Sequence, residues 1–270
     1  MTAENYQHQL DVITKATQKA GEMAKDFQEN GFKRLEDKPG SPVPHLTEAD
    51  LALDAYLKET LTTAFPGYGW LSEETQTDTT SLENDFCFIV DPIDGTRGFV
   101  DGQSSFSVSV GLVHKGRPVA GAVCAPMDGV MIAGAVGGEV SVNKLPEKPY
   151  AAAPTPEGKI ELLVSHTEVK KGMWAPYKDF FELTPVGSIA YKLALLAAGR
   201  SHGVISLKPK NLHDVCAGHA ILRAMGGDVM DLNGEAIPYT TPDHLLTGVV
   251  AGPTASDVDA FFQRLRPLSG

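Results

Sequence analysis

Apolar residues recur at three- and four-residue spacing in two stretches near the N-terminus, and this pattern predicts two amphipathic helices. The first covers residues 4–28, and the second follows Thr47 and ends at Phe65-Pro66-Gly67. Short apolar or alternating runs then predict β-strands at Trp70-Leu71 and at residues 86–90, 106–112, 119–124 and 130–136. The first half therefore has the pattern of an α+β unit built on an antiparallel sheet.

The second half of the chain alternates between strand-like apolar runs and the three- and four-residue apolar spacing of helices. Its predicted elements are strand 160–165, helix 188–198, strand 203–207, helix 215–225, strand 228–231, the apolar run 246–251 and helix 258–265. Such alternation is typical of α/β architecture. A proline-rich passage at residues 145–157 separates the halves, so we predict two subdomains, 1–145 and 146–270.

Composition narrows the possible partners. The 270 residues contain 34 acidic and 23 basic side chains, for a formal net charge of -11. A polyanionic surface is poorly suited to nucleic-acid polymers or anionic membranes. By the same reasoning, it also argues against a phosphorylated substrate.

Cysteine usage and the first residues indicate the compartment. Cys87, Cys124 and Cys216 lie far apart and form no CxxC pair, so neither a disulfide framework nor a cysteine-rich zinc site is expected. The opening residues, MTAENYQHQL, lack the basic and apolar run of a signal peptide. A cytoplasmic protein is expected.

The segment Ile89-Val-Asp-Pro-Ile-Asp-Gly-Thr96 is the most informative part of the sequence. A buried strand leads into two carboxylates, Asp91 and Asp94, on either side of a proline expected to force a turn. Mg²⁺ prefers such oxygen ligands, and the amides and hydroxyl that follow can hold phosphate oxygens. An ordinary Asp-Pro turn explains the same residues, and the segment alone leaves both explanations open.

Three further acids have ordinary explanations of their own. Glu73 lies in the sequence Ser72-Glu73-Glu74, which fits a solvated loop. Asp214 begins a predicted helix, where its charge favourably faces the helix dipole. Asp50 completes a capping box with Thr47 as the N-cap.

The order of these features resembles the inositol monophosphatase superfamily. Its patterns T-x-x-D, x-E-E, D-P-[IL]-D-G-T, [WH]-D-x-x-A-G and G-G recur from Thr47 to Gly227. Residues 188–200 look most similar to the bacterial 3′(2′),5′-bisphosphate nucleotidases, although inositol monophosphatases share much of this segment. The resemblance implies a layered α-β-α-β-α sandwich and a lithium-sensitive, Mg²⁺-dependent phosphomonoesterase. Relatives are often homodimers.

The resemblance also implies roles for individual residues. Glu73, Asp91 and the carbonyl of Ile93 match the ligands of a first Mg²⁺, and Asp91, Asp94 and Asp214 match those of a second. A third, weaker ion near Asp50 is left open.

The remaining implied roles concern phosphate and water. Gly95 and Thr96 match the backbone that holds phosphate, beside Asp94 and Asp214. The Thr96 hydroxyl, with Glu73 or Asp50, matches the groups that orient and deprotonate the attacking water.

The substrate-side residues are predicted to be Arg97, Ser188 and Lys192. Lys192 is either a partner for a second phosphate or a surface helix residue. The pair Lys208 and Lys210 leaves a role near substrate phosphate and plain solvation both open.

One departure from the family pattern concerns histidine. His213 replaces the usual tryptophan, which alters whatever packing or substrate contact that aromatic makes. His213, Cys216 and His219 also form an H-x2-C-x2-H string that suggests zinc. On a helix these three side chains do not converge, so a zinc site formed by the string is not expected.

The preferred substrate is a nucleotide of the adenosine 3′,5′-bisphosphate type, with inositol 1-phosphate as the alternative. Histidinol phosphate, fructose 1,6-bisphosphate and a catalytically silent binder are further alternatives. Five acids converging on one site would concentrate Mg²⁺, and the loaded site would attract phosphate. The negative charge therefore still excludes nucleic-acid polymers and membranes, but not a small phosphorylated metabolite.

Overall fold

The computed structural model describes residues 6–35, 46–74, 79–143, 159–241 and 245–265. Its helices are α1 (Gln7–Asn30), α2 (Glu48–Ala64), α3 (Thr96–Val100), α4 (His166–Lys170), α5 (Ile189–Ala197), α6 (Leu212–Ala224) and α7 (Ala255–Leu265). Its strands are β1 (Gly69–Ser72), β2 (Phe86–Asp94), β3 (Ser107–His114), β4 (Arg117–Ala125), β5 (Val130–Ala135), β6 (Ser141–Val142), β7 (Ile160–Val164), β8 (Phe181–Pro185), β9 (Gly203–Ser206), β10 (Asp228–Asp231) and β11 (Val249–Gly252).

The first sheet has the strand order β1-β2-β3-β4-β5-β6. All its pairs are antiparallel except β1–β2, so the prediction of an antiparallel sheet is wrong for that one pair. β1 and β2 run in the same direction, so the connection between them, which includes a 3₁₀ helix at Thr79–Glu83, brings the chain back to the end of the sheet at which β1 starts. The apolar faces of α1 and α2 cover one side of this sheet.

The second sheet has the order β10-β11-β9-β7-β8. β7 is parallel to β8 and β9, whereas β10 and β11 are antiparallel. Helices α5 and α6 lie between the two sheets, and α7 covers the outer face of the second. The layers therefore run α-β-α-β-α, which confirms the predicted fold class. The predicted subdomain boundary at residues 145 and 146 lies outside the described residues.

The prediction that strand β2 stops before Asp91-Pro92 is wrong. The strand continues to Asp94, and the chain turns only at Gly95. Asp91 pairs with Ser109 and Asp94 with Ser107, so β2 has one residue more than β3 over this interval. Such a bulge tolerates proline, which cannot donate to the ladder. It also matters for the site, because residues three apart in a regular strand face opposite sides.

Helix α6 begins at Leu212, three residues before the predicted start. The backbone N–H of Asn211 donates to Asp214 Oδ2 at 2.6 Å, which closes the first turn and explains the earlier start. The helix lies directly on the sheet at Gly111 and Gly121, where an added Cβ would collide with Cys216 or Ala217. The missing side chains bring the first turn of α6 close to β2.

Short elements of mixed polarity escaped prediction, namely α3, α4, β6 and β8. Across the residues that the structure describes, no helix is both long and apolar enough to span a bilayer.

Candidate metal centre and substrate pocket

Acidic side chains meet where the C-terminal ends of β1 and β2 face the first turn of α6, and this place is called the acidic edge. Glu73 follows β1, Asp91 and Asp94 lie on the bulged end of β2, and Asp214 lies in the first turn of α6. The ligand atoms of Asp91, Asp94 and Asp214 all lie within 4.8 Å of one another. Those of Glu73, Asp91 and His213 do the same. Asp91 belongs to both groups, and its predicted role as a bridge between two cations stays a prediction.

Asp94 and Asp214 are each fixed through one carboxylate oxygen. Asp94 Oδ2 accepts hydrogen bonds from Ser188 Oγ at 2.5 Å and from the Ala190 N–H at 2.7 Å. Asp214 Oδ2 accepts from the Asn211 N–H. Anchoring through one oxygen orients the other without occupying it, which is the arrangement that ligating carboxylates require.

Asp91 has the most unfavourable surroundings of the group. It is 1% exposed, and among the described residues its Oδ1 has no hydrogen-bond partner. Burial first, then the charges of Glu73, Asp94 and Asp214, raise its pKa well above the usual value. A buried, unsatisfied carboxylate oxygen among like charges is costly unless a cation binds there, so the donor set fits a hard divalent ion.

The pKa values of Asp94 and Asp50 are also raised, but less than that of Asp91. Burial and the nearby Asp214 raise the pKa of Asp94 to about 6, although the bonds from Ser188 and Ala190 oppose the shift. Burial raises the pKa of Asp50 to about 6 as well, with Glu74 contributing.

Asp50 also forms the predicted capping box. Its Oδ2 accepts hydrogen bonds from the Thr47 N–H at 2.8 Å and from the Thr47 hydroxyl at 2.6 Å. The residue as a whole is 1% exposed. The ordinary explanation of Asp50 is thus confirmed, and its catalytic role and a third ion stay predictions.

The turn after β2 packs closely against the backbone of Ser105. Gly95 has φ of 95°, in the left-handed region, and an added Cβ would meet the Ser105 carbonyl oxygen at 3.1 Å. The Thr96 hydroxyl donates to the Ile93 carbonyl at 2.9 Å. The predicted roles of Gly95, Thr96 and the Ile93 carbonyl are compatible with this geometry and stay predictions.

Two of the three predicted substrate-side residues, Ser188 and Lys192, are buried and interact with Asp94. Ser188 is buried with φ of 53° and bonds to Asp94. Lys192 is 3% exposed, so the alternative of a surface helix residue is wrong. Its ammonium donates to the Val186 carbonyl at 3.0 Å, and burial lowers its pKa to about 8 despite the nearby Asp94. Its contact with substrate stays a prediction.

A cavity of about 640 Å³ lies beside the acidic site, with Gly95 and Ser188 in its wall. Its basic lining residues, the basic rim, are Arg97, Lys170 and Lys171. Lys208 is close enough to interact electrostatically with this rim: partial burial and then the charge of Lys171, followed by those of Lys210 and Arg97, lower its pKa, whereas Glu168 opposes the shift. Sequence reasoning found Arg97 but missed Lys170 and Lys171, since the short helix α4 has no periodic signal.

The H-x2-C-x2-H string does not form a site. His219 is buried and bonds to the Tyr239 hydroxyl at 3.0 Å and to Asp228 at 2.8 Å. Cys216 is buried in the core, where burial raises its pKa well above the usual value. His213 instead joins Glu73 and Asp91, which sequence reasoning missed. Its position next to Asp214 was the available signal.

Comparisons with known proteins agree with this arrangement. The sequence profile of the inositol monophosphatase family matches residues 5–265. The chain is 28% identical over 242 residues to the 3′(2′),5′-bisphosphate nucleotidase CysQ of Shigella flexneri, covering 88% of this chain and 96% of the relative. It is 30% identical over 241 residues to the inositol-1-monophosphatase of Mesorhizobium japonicum, covering 83% and 86%.

A solved structure shows the same fold. The inositol monophosphatase of Anabaena (Nostoc) sp. PCC 7120 superposes with a TM-score of 0.75 at 23% identity, over 98% of this chain and 97% of that one. The layered fold and the acidic edge define a metal-dependent phosphatase, a hydrolase of phosphoric monoesters. The chain belongs to the inositol monophosphatase family.

Mg²⁺ should stabilise this protein more at high pH than at low pH. The folded pKa values of Asp50 and Asp94, about 6, lie above the ordinary value of 3.8, so the folded metal-free protein holds more protons than the unfolded chain. Its free energy of unfolding therefore falls as pH rises through this window. Mg²⁺ requires the ionised carboxylates and reverses the loss.

Thermal melts with Mg²⁺ and with a chelator, at about pH 5 and about pH 8, measure this effect. We expect the Mg²⁺-induced rise in Tm to be larger at the higher pH. An equal rise at both values would show that these carboxylates do not bind the ion.

Proposed function

We propose that the chain hydrolyses a 3′(2′),5′-bisphosphate nucleotide, such as adenosine 3′,5′-bisphosphate, at the acidic edge beside the cavity. Two Mg²⁺ ions, when bound, neutralise the phosphate and lower the pKa of the attacking water. Glu73, Asp91 and the Ile93 carbonyl would hold the first, and Asp91, Asp94 and Asp214 the second. The shared position of Asp91 in the two groups supports a paired site.

The protein's own groups position the reactants. The Thr96 hydroxyl donates a hydrogen bond to the Ile93 carbonyl, so its oxygen lone pairs are available to accept a hydrogen bond from water. We assign proton acceptance from that water to the Glu73 carboxylate rather than to Asp50, a residue that is 1% exposed and whose carboxylate accepts hydrogen bonds from Thr47. The amides at Gly95 and Thr96 would hold the scissile phosphate.

The basic rim is the observation that carries the substrate choice. The protein has a formal net charge of -11, yet Arg97, Lys170 and Lys171 line one cavity, with Lys208 beside them. Asp101 also lines this cavity, so three cationic side chains share the lining with one carboxylate, and the remaining positive charge favours an anion there. A substrate with two phosphates can place one at the cations of the acidic edge and the other among the basic side chains of the rim. The similarity to CysQ supports the same choice.

A substrate panel tests this function. Phosphate release is measured with Mg²⁺ for adenosine 3′,5′-bisphosphate, inositol 1-phosphate and histidinol phosphate, and again after chelation. We expect the bisphosphate to have the highest kcat/KM and chelation to abolish release. A preference for inositol 1-phosphate would instead favour the second candidate, which the 30% identical inositol-1-monophosphatase supports.

Lys171→Ala separates the two candidates within one protein. Because one charged contact to phosphate is worth about a factor of ten, kcat/KM for the bisphosphate should fall about tenfold. The value for inositol 1-phosphate should change less than about twofold, since a single phosphate lies at the acidic edge. Lys115→Ala is the control, because Lys115 is a surface lysine on the β3–β4 turn. Equal losses on both substrates would contradict the assignment of the rim.

Other features of the proposal follow the family resemblance. They are inhibition by lithium, a cytoplasmic location and a homodimeric state. Inhibition curves with LiCl and the mass in solution test the first and the last directly.

A further inference from the structure

We propose that His213 is a protein ligand of the first cation and that its imidazole makes this site prefer Mn²⁺ to Mg²⁺. The inference rests on the metal-binding part of the proposed function and adds a donor to the ligand set of the first cation, which the resemblance limits to Glu73, Asp91 and the Ile93 carbonyl. A ring nitrogen of His213 lies within 4.8 Å of the ligand oxygens of both Glu73 and Asp91.

The position of His213 explains how it reaches the site. It is the second residue of α6 and directly precedes Asp214, whose carboxylate belongs to the second group. One helical turn therefore supplies one donor to each side of Asp91. Glycines at 111 and 121 let α6 lie close enough to the sheet for both contacts.

A second observation points to a cation at this place. Asp91 is 1% exposed, belongs to both groups, and its Oδ1 has no partner among the described residues. That oxygen needs a positive partner, and an ion there would lie among Glu73, Asp91 and His213. Tryptophan, usual at this position in the family pattern, has only a donor N–H and cannot ligate a metal.

The donor chemistry sets the preference. Carboxylate oxygens alone suit Mg²⁺, whereas a neutral imidazole nitrogen adds affinity for first-row transition ions such as Mn²⁺, Co²⁺ and Zn²⁺. The remaining members of the H-x2-C-x2-H string do not contribute, because His219 is held by Tyr239 and Asp228. The site therefore has mixed oxygen and nitrogen donors.

Pulsed electron paramagnetic resonance with Mn²⁺ tests the inference on the whole protein without substrate. At less than one equivalent of Mn²⁺, we expect nitrogen hyperfine coupling from a directly bound imidazole. The coupling should disappear in His213→Trp and in His213→Gln, and persist in His8→Gln, an exposed histidine of α1. Two replacements guard against one that fails to fold, and the wild-type spectrum is decisive by itself.

Calorimetric titrations add a second readout. His213→Trp should weaken Mn²⁺ binding by about tenfold or more and change Mg²⁺ binding by less than about threefold. Bound Mn²⁺ without nitrogen coupling would overturn the role of His213 and leave the proposed function intact. Failure of both ions to bind would overturn the metal assignment itself.

Discussion

Asp91→Asn is expected to lower kcat/KM for any phosphomonoester substrate by about a thousandfold or more. Asp91 is the residue that both ligand groups share, so its loss weakens both cation sites at once. Cations that neutralise developing charge contribute several kcal/mol to catalysis, and a thousandfold loss corresponds to about 4 kcal/mol. Steady-state kinetics with Mg²⁺ in excess measures the loss.

The same replacement should stabilise the metal-free protein. Burial and four neighbouring acids raise the pKa of Asp91, so its ionised form opposes folding at neutral pH. Asparagine has the same shape without the charge, and we expect Tm in the presence of a chelator to rise by roughly 2–4 °C, as about 1 kcal/mol would produce. The charge of Asp91 is needed for catalysis but destabilises the metal-free fold, and this explains why the replacement lowers kcat/KM and raises Tm.

Asp85→Asn is the matched control for this prediction. Asp85 precedes β2 at the end opposite Asp91 and is exposed, with its carboxylate 4.0 Å from Lys115 Nζ. Its replacement should leave both kcat/KM and Tm nearly unchanged. Asp91→Asn retaining wild-type turnover would remove the acidic edge from the mechanism.

Gly121→Ala should destabilise the fold by about 3 kcal/mol and lower Tm by roughly 6–12 °C. A Cβ at this position of β4 would fall on the Ala217 carbonyl oxygen and lie 2.9 Å from Ala217 Cα. These are backbone atoms of α6, so relief requires the whole helix to move away from the sheet. Thermal and denaturant unfolding both measure the cost.

The displacement should also reach the metal centre. Asp214 and His213 lie in the first turn of α6, whereas Asp91 and Asp94 lie on the sheet. Moving the helix separates the two sets, so Mg²⁺ and Mn²⁺ affinity should fall together with stability.

Gly138→Ala is the control, because an added Cβ there, in the turn after β5, would lie 3.3 Å from the Ala135 carbonyl oxygen and 3.6 Å from Gln7 Oε1, and would contact no atom of α6. Unchanged metal binding in Gly121→Ala would show that the close packing does not position the acids.

Long periodic segments made most of the fold predictable. Helices α1 and α2 appear within a few residues of where the pattern places them, because each buries one face over several turns. Short elements such as α4 and β8 carry too few periods to be recognised, and they acquire their structure from neighbours already packed. The direction of β1 was also hidden, because pairing direction depends on where a connection returns the chain.

The site was predictable in its members but not in its arrangement. The ordered motifs indicated Glu73, Asp91, Asp94 and Asp214, and the structure brings these acids together. The reason assigned to the central pair was wrong, since Asp91 and Asp94 share a side through a bulge within β2 and not through a turn. A bulge depends on the partner strand, which local sequence does not reveal.

By itself, the sequence indicated the class of chemistry through resemblance, because its acidic residues follow the inositol monophosphatase order around Asp-Pro-Ile-Asp-Gly-Thr, whereas each acid taken alone has an ordinary structural explanation. Only the tertiary structure decided which side chains share a space. In the folded protein Lys192 is buried near Asp94, Arg97 lines the same cavity as Lys170 and Lys171, and His213 lies close to Asp91. Each of these outcomes depends on contacts between residues far apart in the chain, and such contacts arise only when the sheets and helices pack.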